Sequence, residues 1–153
     1  MKKTVVILQP SYLPWLGYFE QMWRSDVFVM YDDVQYDKNG WRNRNRIKTA
    51  NGMMWLTAPV KTHLGEKIKD VEIDNGQNWK KKHLKNLESA YRKSSFFTEY
   101  FVKFEKILGQ EWKYLVDLDV AMIKEINNIL GLERKILRSS ELDVVDMIIL
   151  GDW

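Results

Sequence analysis

Thr4-Val-Val-Ile-Leu8, running into Gln9-Pro-Ser-Tyr-Leu-Pro-Trp-Leu-Gly-Tyr-Phe19, is the stretch whose reading decides the fold. Thr4 to Leu8 is a short apolar run of the kind found in strands buried on both faces. From Leu16 to Arg24, Phe19 and Met22/Trp23 recur at helical spacing. Pro10 and Pro14 fix φ and keep the helix from starting early, and Gly17 leaves room for another backbone or a ligand. Open α/β sheets place their ligands at such strand-to-helix corners, outside the carboxyl ends of the strands. Gln9, Tyr12, Trp15 and Tyr18 crowd onto this one and mark the mouth of a binding site. The alternative is that Trp15, Tyr18 and Phe19 are core residues and the prolines ordinary turn residues.

Val27 to Tyr31 reads as a second buried strand, ending in Asp32-Asp33. Strand, helix, strand with short connections implies a right-handed crossover and a parallel pair. That brings Asp32 and Asp33 near the sheet end that carries Gln9 and Tyr12. Two carboxylates there can hold Mg²⁺ or grip sugar hydroxyls, or serve only as turn residues. Trp41-Arg-Asn-Arg-Asn-Arg-Ile-Lys48 and Met53 to Val60 flank Asn51-Gly52, a hairpin signal. Alternation along a strand puts Arg42, Arg44, Arg46 and Lys48 on one side and Asn43, Asn45, Ile47 and Thr49 on the other. Four cations on one face call for an anion, either the phosphates of a nucleotide or a nucleic-acid backbone. An edge strand guarded against aggregation is the alternative. Trp41 and Trp55 flank the strip and can stack on a base or sugar.

Further on, Lys67 to Ile73 reads as a half-exposed strand, with Val71 and Ile73 pointing one way. Asn78 is placed to cap a helix from Trp79 to about Lys93. On it His83 is either an acid–base group or a partly buried structural residue. The run Lys80 to Lys82 reads as solvated. Phe96 to Gly109 suggests a short helix, and Glu111 to Leu130 the longest one, stopped by Gly131. Arg134 to Arg138 is a third parallel-strand candidate, followed by Ser139-Ser140-Glu141, where the serines can donate to phosphate or cap a helix. Beyond Leu142 the chain is apolar and stops abruptly at Trp153.

The 153 residues suffice for one domain, with no repeat or linker. There are no cysteines and two histidines, which leaves neither a disulfide nor a thiolate metal site. No apolar run approaches membrane-span length, and the N-terminus is too short for a secretory signal, so the expected location is the cytoplasm. Met1 to Gln110 holds 19 cations and 12 anions, and Glu111 to Trp153 holds 5 and 9. A basic body suits an anionic partner. Seven tryptophans, four of them between Trp15 and Trp55, favour ligand contact over packing alone.

The chain resembles the WbqC-like family in Gln9-Pro10-x-Tyr12-Leu-Pro-Trp15-x-Gly17-Tyr18-Phe19, Asp33-Val-Gln35-Tyr36-x-Lys38 and Trp41-x-Asn43-Arg44-Asn45-x-Ile47-Lys48. The likeness continues in Trp55-Leu-Thr-x-Pro59-Val, Trp79-x-x-x-His83, Leu130-Gly131 and Ser139-Ser140-Glu141-Leu142. It implies a cytoplasmic bacterial protein of O-antigen and surface polysaccharide synthesis, some members being labelled glycine transferases. Two departures stand out. Family chains usually continue well past Ser-Ser-Glu-Leu, and Asp119 sits where Asn is expected. The first crossover also looks like that of nucleotidyltransferases with a His-x-Gly-His motif, but Trp15 and Tyr18 stand in place of the histidines.

Together these readings give one α/β domain over residues 1–153, a three-layer Rossmann-like parallel sheet with an inserted β-hairpin and a helical C-terminal half. The expected activity is transfer of a group to or from a nucleotide-activated sugar or acid. Asp33, Lys38 and His83 are the catalytic candidates. The substrate-contact candidates are Gln9, Pro10, Tyr12, Trp15, Gly17, Tyr18, Asp32, Gln35, Trp41, Asn43, Trp55, Ser139 and Ser140. Arg42, Arg44, Arg46 and Lys48 are assigned to phosphate. Mg²⁺ is the one cofactor considered. Partners considered are a nucleotide or nucleotide-sugar, a second copy, or a subunit that supplies the shortened C-terminus. The competing readings are a single-stranded nucleic-acid module, weakened by the acid pair, and a non-catalytic partner within a biosynthetic complex.

Overall fold

In a computed structural model that describes residues 3–143, the corner sits where strand meets helix. Strand β1 is Val5–Leu8, helix α1 is Leu16–Arg24 and strand β2 is Val27–Met30. β2 pairs in parallel with β1 on one side and with β7 (Ile136–Arg138) on the other. The α1 residues Tyr18, Phe19 and Met22 form one buried stripe over Phe28 and Met30 of this sheet. That spacing is what an amphipathic helix requires to bury one face.

An antiparallel hairpin of β3 (Arg44–Thr49) and β4 (Gly52–Thr57) is inserted after β2. Gly52 at the turn has φ +108°, a backbone conformation that side chains disfavour. A second small antiparallel pair joins β5 (Val60–Lys61) to β6 (Glu72–Ile73). Three helices follow: α2 (Trp79–Tyr91), α3 (Phe97–Leu108) and α4 (Leu115–Ile129). α4 ties the molecule together. Its Leu115, Leu118 and Met122 enter the core under the hairpin, and Ile123 enters the core beneath the sheet.

The mixed α/β architecture, parallel sheet, hairpin and helical second half agree with the sequence reading. Three local expectations are corrected. β1 is not buried on both faces: it has one neighbour among the described residues, and Ile7 is 57% exposed. Lys67 to Ile73 is mostly not a strand, because the Ile68 and Lys69 amides donate to the carbonyls of Val34 and Asp32 and draw Ile68–Asp70 into a 3-10 turn. Val71 and Ile73 are both buried. The longest helix starts at Leu115 rather than Glu111, since Tyr114 bridges Glu72 and the Leu115 amide bonds to Val71. The apolar stretch from Val144 lies outside the described residues. Among the described residues no helix is long and apolar enough to cross a membrane.

Candidate functional site

The corner is held by the approach to the hairpin. The Tyr12 amide donates to the Trp41 carbonyl (3.0 Å), and Arg42 Nη1 donates to the Pro10 carbonyl (2.8 Å). Asn45 Nδ2 donates to the Leu13 carbonyl at 2.7 Å and reaches that of Tyr12 at 3.3 Å. Leu13 has φ +45°, a strained conformation for a side chain of this size, held by those bonds. Trp15 folds back so that its indole covers Gly17: a Cβ on Gly17 would lie 1.9 Å from the ring. A side chain at this position would have to displace the Trp15 ring.

Between corner and hairpin lies a cleft of about 710 Å³. Gln9, Trp15, Tyr18, Trp41, Arg42 and Arg46, all expected from sequence, line it. Ser11, Gln21, Tyr31 and Asn45 also line it and were not singled out. Gln21 was within reach of sequence reasoning, standing one helical turn after Tyr18. Tyr31 directly follows β2. Asn45 had been placed on the opposite side of its strand, and its role comes from the approach of a distant loop.

Among the described residues no acidic side chain lines the cleft. Arg46 lies over the rings of Trp41 (5.5 Å) and Trp55 (5.4 Å), and the two indoles are themselves in contact at 5.4 Å. Arg44 is stacked on Trp55 at 4.7 Å, and its Nη2 donates to the Asn39 carbonyl. Lys48 is exposed on the same hairpin, away from the cleft. The row of cations is therefore divided: Arg42 and Arg46 face the cleft, Arg44 and Lys48 do not line it. The Tyr18 hydroxyl donates to the Gln9 carbonyl (3.3 Å). Burial, then the Asp119 charge, pushes that phenol above its ordinary range, so it remains a donor.

The acid pair lies elsewhere. Asp32 is fully buried at the carboxyl ends of β2 and β7. Arg138 Nε donates to its Oδ2 at 2.8 Å, the Ser140 hydroxyl to the same oxygen at 2.8 Å, and the Ser140 amide to Oδ1 at 3.0 Å. Ser139 Oγ is 2.5 Å from Asp33 Oδ1 and accepts from the Asp32 amide. Burial alone would raise the Asp32 carboxyl, but the Ser140 and Arg138 hydrogen bonds outweigh it and hold it below its usual range. A cation needs open carboxylate oxygens, and those of Asp32 are taken. Among the described residues there is no group of three or more His, Cys, Asp or Glu that could hold a metal ion.

Tyr12 is fully buried beneath the hairpin, and its hydroxyl is 3.0 Å from His83 Nδ1. His83 Nε2 lies 3.1 Å from the Thr57 carbonyl. A carbonyl only accepts, so Nε2 carries the proton and Nδ1 of the neutral ring accepts from Tyr12. Burial lowers the imidazole to about 4, with Lys82 adding to the shift. His83 and Trp55 line a second, smaller hollow at the start of α2 rather than the cleft. Asn43 is buried and donates to the Ala58 carbonyl. Pro10 is buried in the corner, Gln35 bridges to Lys67, and Lys38 is exposed in the turn before Gly40. One buried group went unread as a charge problem: Asp119 on α4 is fully buried and neither of its oxygens has a partner. Burial raises it well above the carboxylate range, against the pull of Arg42.

The family model for the WbqC-like protein family matches residues 9–148, which contain all of the cleft lining except Ile7 and Leu8. The uncharacterized protein Rv1507c of Mycobacterium tuberculosis is 37% identical over 147 residues, covering 94% of this chain. The chain spans 63% of that relative's length. No solved structure matches the chain significantly. On the extent of the match, the chain belongs to the WbqC-like protein family.

Proposed function

We propose that the cleft binds a nucleotide-activated sugar or acid, and that the protein serves a cytoplasmic group-transfer step in bacterial surface polysaccharide synthesis, O-antigen included. The observation that carries this reading is the lining itself: the Arg42 and Arg46 guanidinium groups and two indoles around a hollow of ligand size, with no acid among the described residues that line it. Trp15, 68% exposed, offers a ring for a base or sugar to stack on. Arg46, exposed beside the Trp41 ring, meets the phosphates, and Arg42 assists from the corner. Gln9, Gln21 and Asn45 are carboxamides suited to hydroxyls and base edges.

A non-catalytic binding subunit is the second reading, and a specific observation favours it. Among the described residues the cleft is lined by no carboxylate, imidazole or lysine, and its hydroxyls are those of Ser11, Tyr18 and Tyr31. Of the catalytic candidates, Asp33 is tied to Ser139, His83 belongs to the second hollow, and Lys38 is outside the lining. The transfer step then draws its acid–base group from a partner or another part of the protein. Nucleic acid is disfavoured because the Trp41 and Trp55 faces that bases would stack on are occupied by guanidinium and by each other.

Calorimetry with nucleoside diphosphates and their sugar conjugates tests the reading. Saturable binding weakened by Arg46→Ala supports it. Absence of binding by every member of the panel, in protein shown to be folded, overturns it.

A further inference from the structure

Helix α1 is apolar on two sides. Tyr18, Phe19 and Met22 form the stripe that the core absorbs. Leu16 and Trp23, two helical turns apart and so on one side of the helix, form a second stripe that it does not absorb: they are 75% and 55% exposed. A helix packed on a sheet needs one apolar stripe, and its outer side is ordinarily polar. The chain after α4 adds to this surface. Leu130, 44% exposed, and Leu132 stand on either side of Gly131, whose φ of +65° turns the chain past the helix end. With Leu16, Phe19 and Trp23 they line a groove of about 550 Å³. Arg134 donates to the Trp23 carbonyl at 2.9 Å and ties this loop to the end of α1. The one acid among the described lining residues, Glu20, is paired with Arg24 at 2.8 Å.

A single exposed leucine is ordinary, but Trp15, Leu16, Trp23 and Leu130 all exposed around one groove are not. The occupant is indicated by where the groove leads. Trp15 lines both the groove and the cleft, so an apolar channel and a hollow carrying Arg42 and Arg46 adjoin at one indole. A ligand that fills both has phosphate at one end and hydrocarbon at the other. We infer that cleft and groove together take a phosphate-headed amphiphile, a phosphate ester of a long alkyl or prenyl chain. Its head meets Arg46 and Arg42, and its chain runs along Leu16, Trp23, Leu130 and Leu132. The inference rests on the reading of the cleft as a phosphate site, and it supplies the second substrate of the transfer step. A bilayer surface or a second copy of the chain would cover the groove without engaging the guanidinium groups.

Calorimetry on the whole protein with butyl phosphate and with dodecyl phosphate, the latter below its micelle concentration, tests this. Dodecyl phosphate should bind roughly thirtyfold more tightly, as burial of about two or three further methylenes would give. Leu16→Ser and Trp23→Ser, at exposed positions, should bring it to within about threefold of butyl phosphate, with the thermal midpoint near that of the parent. Arg46→Ala should weaken both esters, and Leu64→Ser, at an exposed leucine outside both linings, should weaken neither. Equal affinity for the two esters overturns the groove and leaves the cleft reading standing. No binding of either ester also overturns the inference, and the nucleotide panel then decides the cleft reading separately. Dodecyl phosphate binding that ignores Trp23→Ser or Arg46→Ala overturns it as well. So does binding to phosphatidylglycerol vesicles that is lost in Trp23→Ser and kept in Arg46→Ala, which makes the patch a membrane face. A dimer in sedimentation that Trp23→Ser dissolves overturns it in favour of a contact between copies.

Discussion

Two regions share the carboxyl end of one parallel sheet and differ in a single respect. Around Trp15, Trp41, Arg42 and Arg46 the chain presents donors and rings to an open cleft. Around Asp32, Asp33, Arg138, Ser139 and Ser140 it brings together equally reactive-looking side chains, but they satisfy one another. A charge that already has its partner is part of the scaffold. Arg42 already reaches Asp37 and the Pro10 carbonyl, whereas Arg46 faces the cleft with only the Trp41 and Trp55 rings against it among the described residues. Residue type does not separate the two cases; compensation does.

The sharpest way to break this comparison is to remove one side of the closed cluster. Asp32→Ala removes the acceptor shared by Arg138 and Ser140 and should destabilise the fold by about 3 kcal/mol, the low end for a broken buried pair because Asp117 and Glu141 still face Arg138, measured by urea denaturation. If Asp32→Ala instead unfolds like the parent protein while losing ligand, the cluster belongs with the cleft. The next effect is pH-dependent. His83 is held neutral, its imidazole lowered from 6.5 to about 4. A lowered folded pKa means full stability above pH 6.5 and loss as pH falls toward 4, amounting to about 3 kcal/mol. His83→Gln should flatten that part of the stability profile. A profile unchanged by the substitution would show that His83 is not the group responsible.

On the open side the effects are smaller and fall on ligand rather than fold. Arg46→Ala should weaken nucleotide binding by about ten- to a hundredfold, the worth of one charge-assisted contact. Its thermal midpoint should stay near that of the parent, the residue being exposed. Asn45→Ala removes the bonds that hold Leu13 in its strained conformation and should cost about 1–2 kcal/mol of stability as well as some affinity. Gly17→Ala makes the finest distinction. Alanine is a better helix residue, so the fold should not be weakened, yet the Cβ must displace the Trp15 ring. An affinity lowered by about threefold, as a displaced ring contact would give, with the thermal midpoint held or raised, would assign Trp15 to the ligand.

Much of the fold was legible because it rests on local patterns. The Val27 to Met30 run, the Asn51-Gly52 turn, the Tyr18/Phe19/Met22 stripe and the Gly131 stop each appear where period and turn chemistry put them. The cleft was legible in part for the same reason, since Gln9, Trp15, Tyr18 and the arginines sit near one another in sequence order. What escaped involved partners far apart in the chain. Nothing near Lys67 announces that Val34 and Asp32 will accept its neighbours' hydrogen bonds. Nothing near Asp33 announces Ser139, 106 residues away.

The sequence alone therefore determined the class of fold, the family, and the chemistry available at the corner: rings, guanidinium groups and carboxamides. Only the tertiary structure decided which of those groups face an opening. It sent Tyr12 and Asp32 inward, stacked Arg44 on Trp55 and left Arg46 beside the cleft. The physical reason is that propensity and periodicity act over a few residues. Burial and charge compensation are set by whichever distant segment packs against the group.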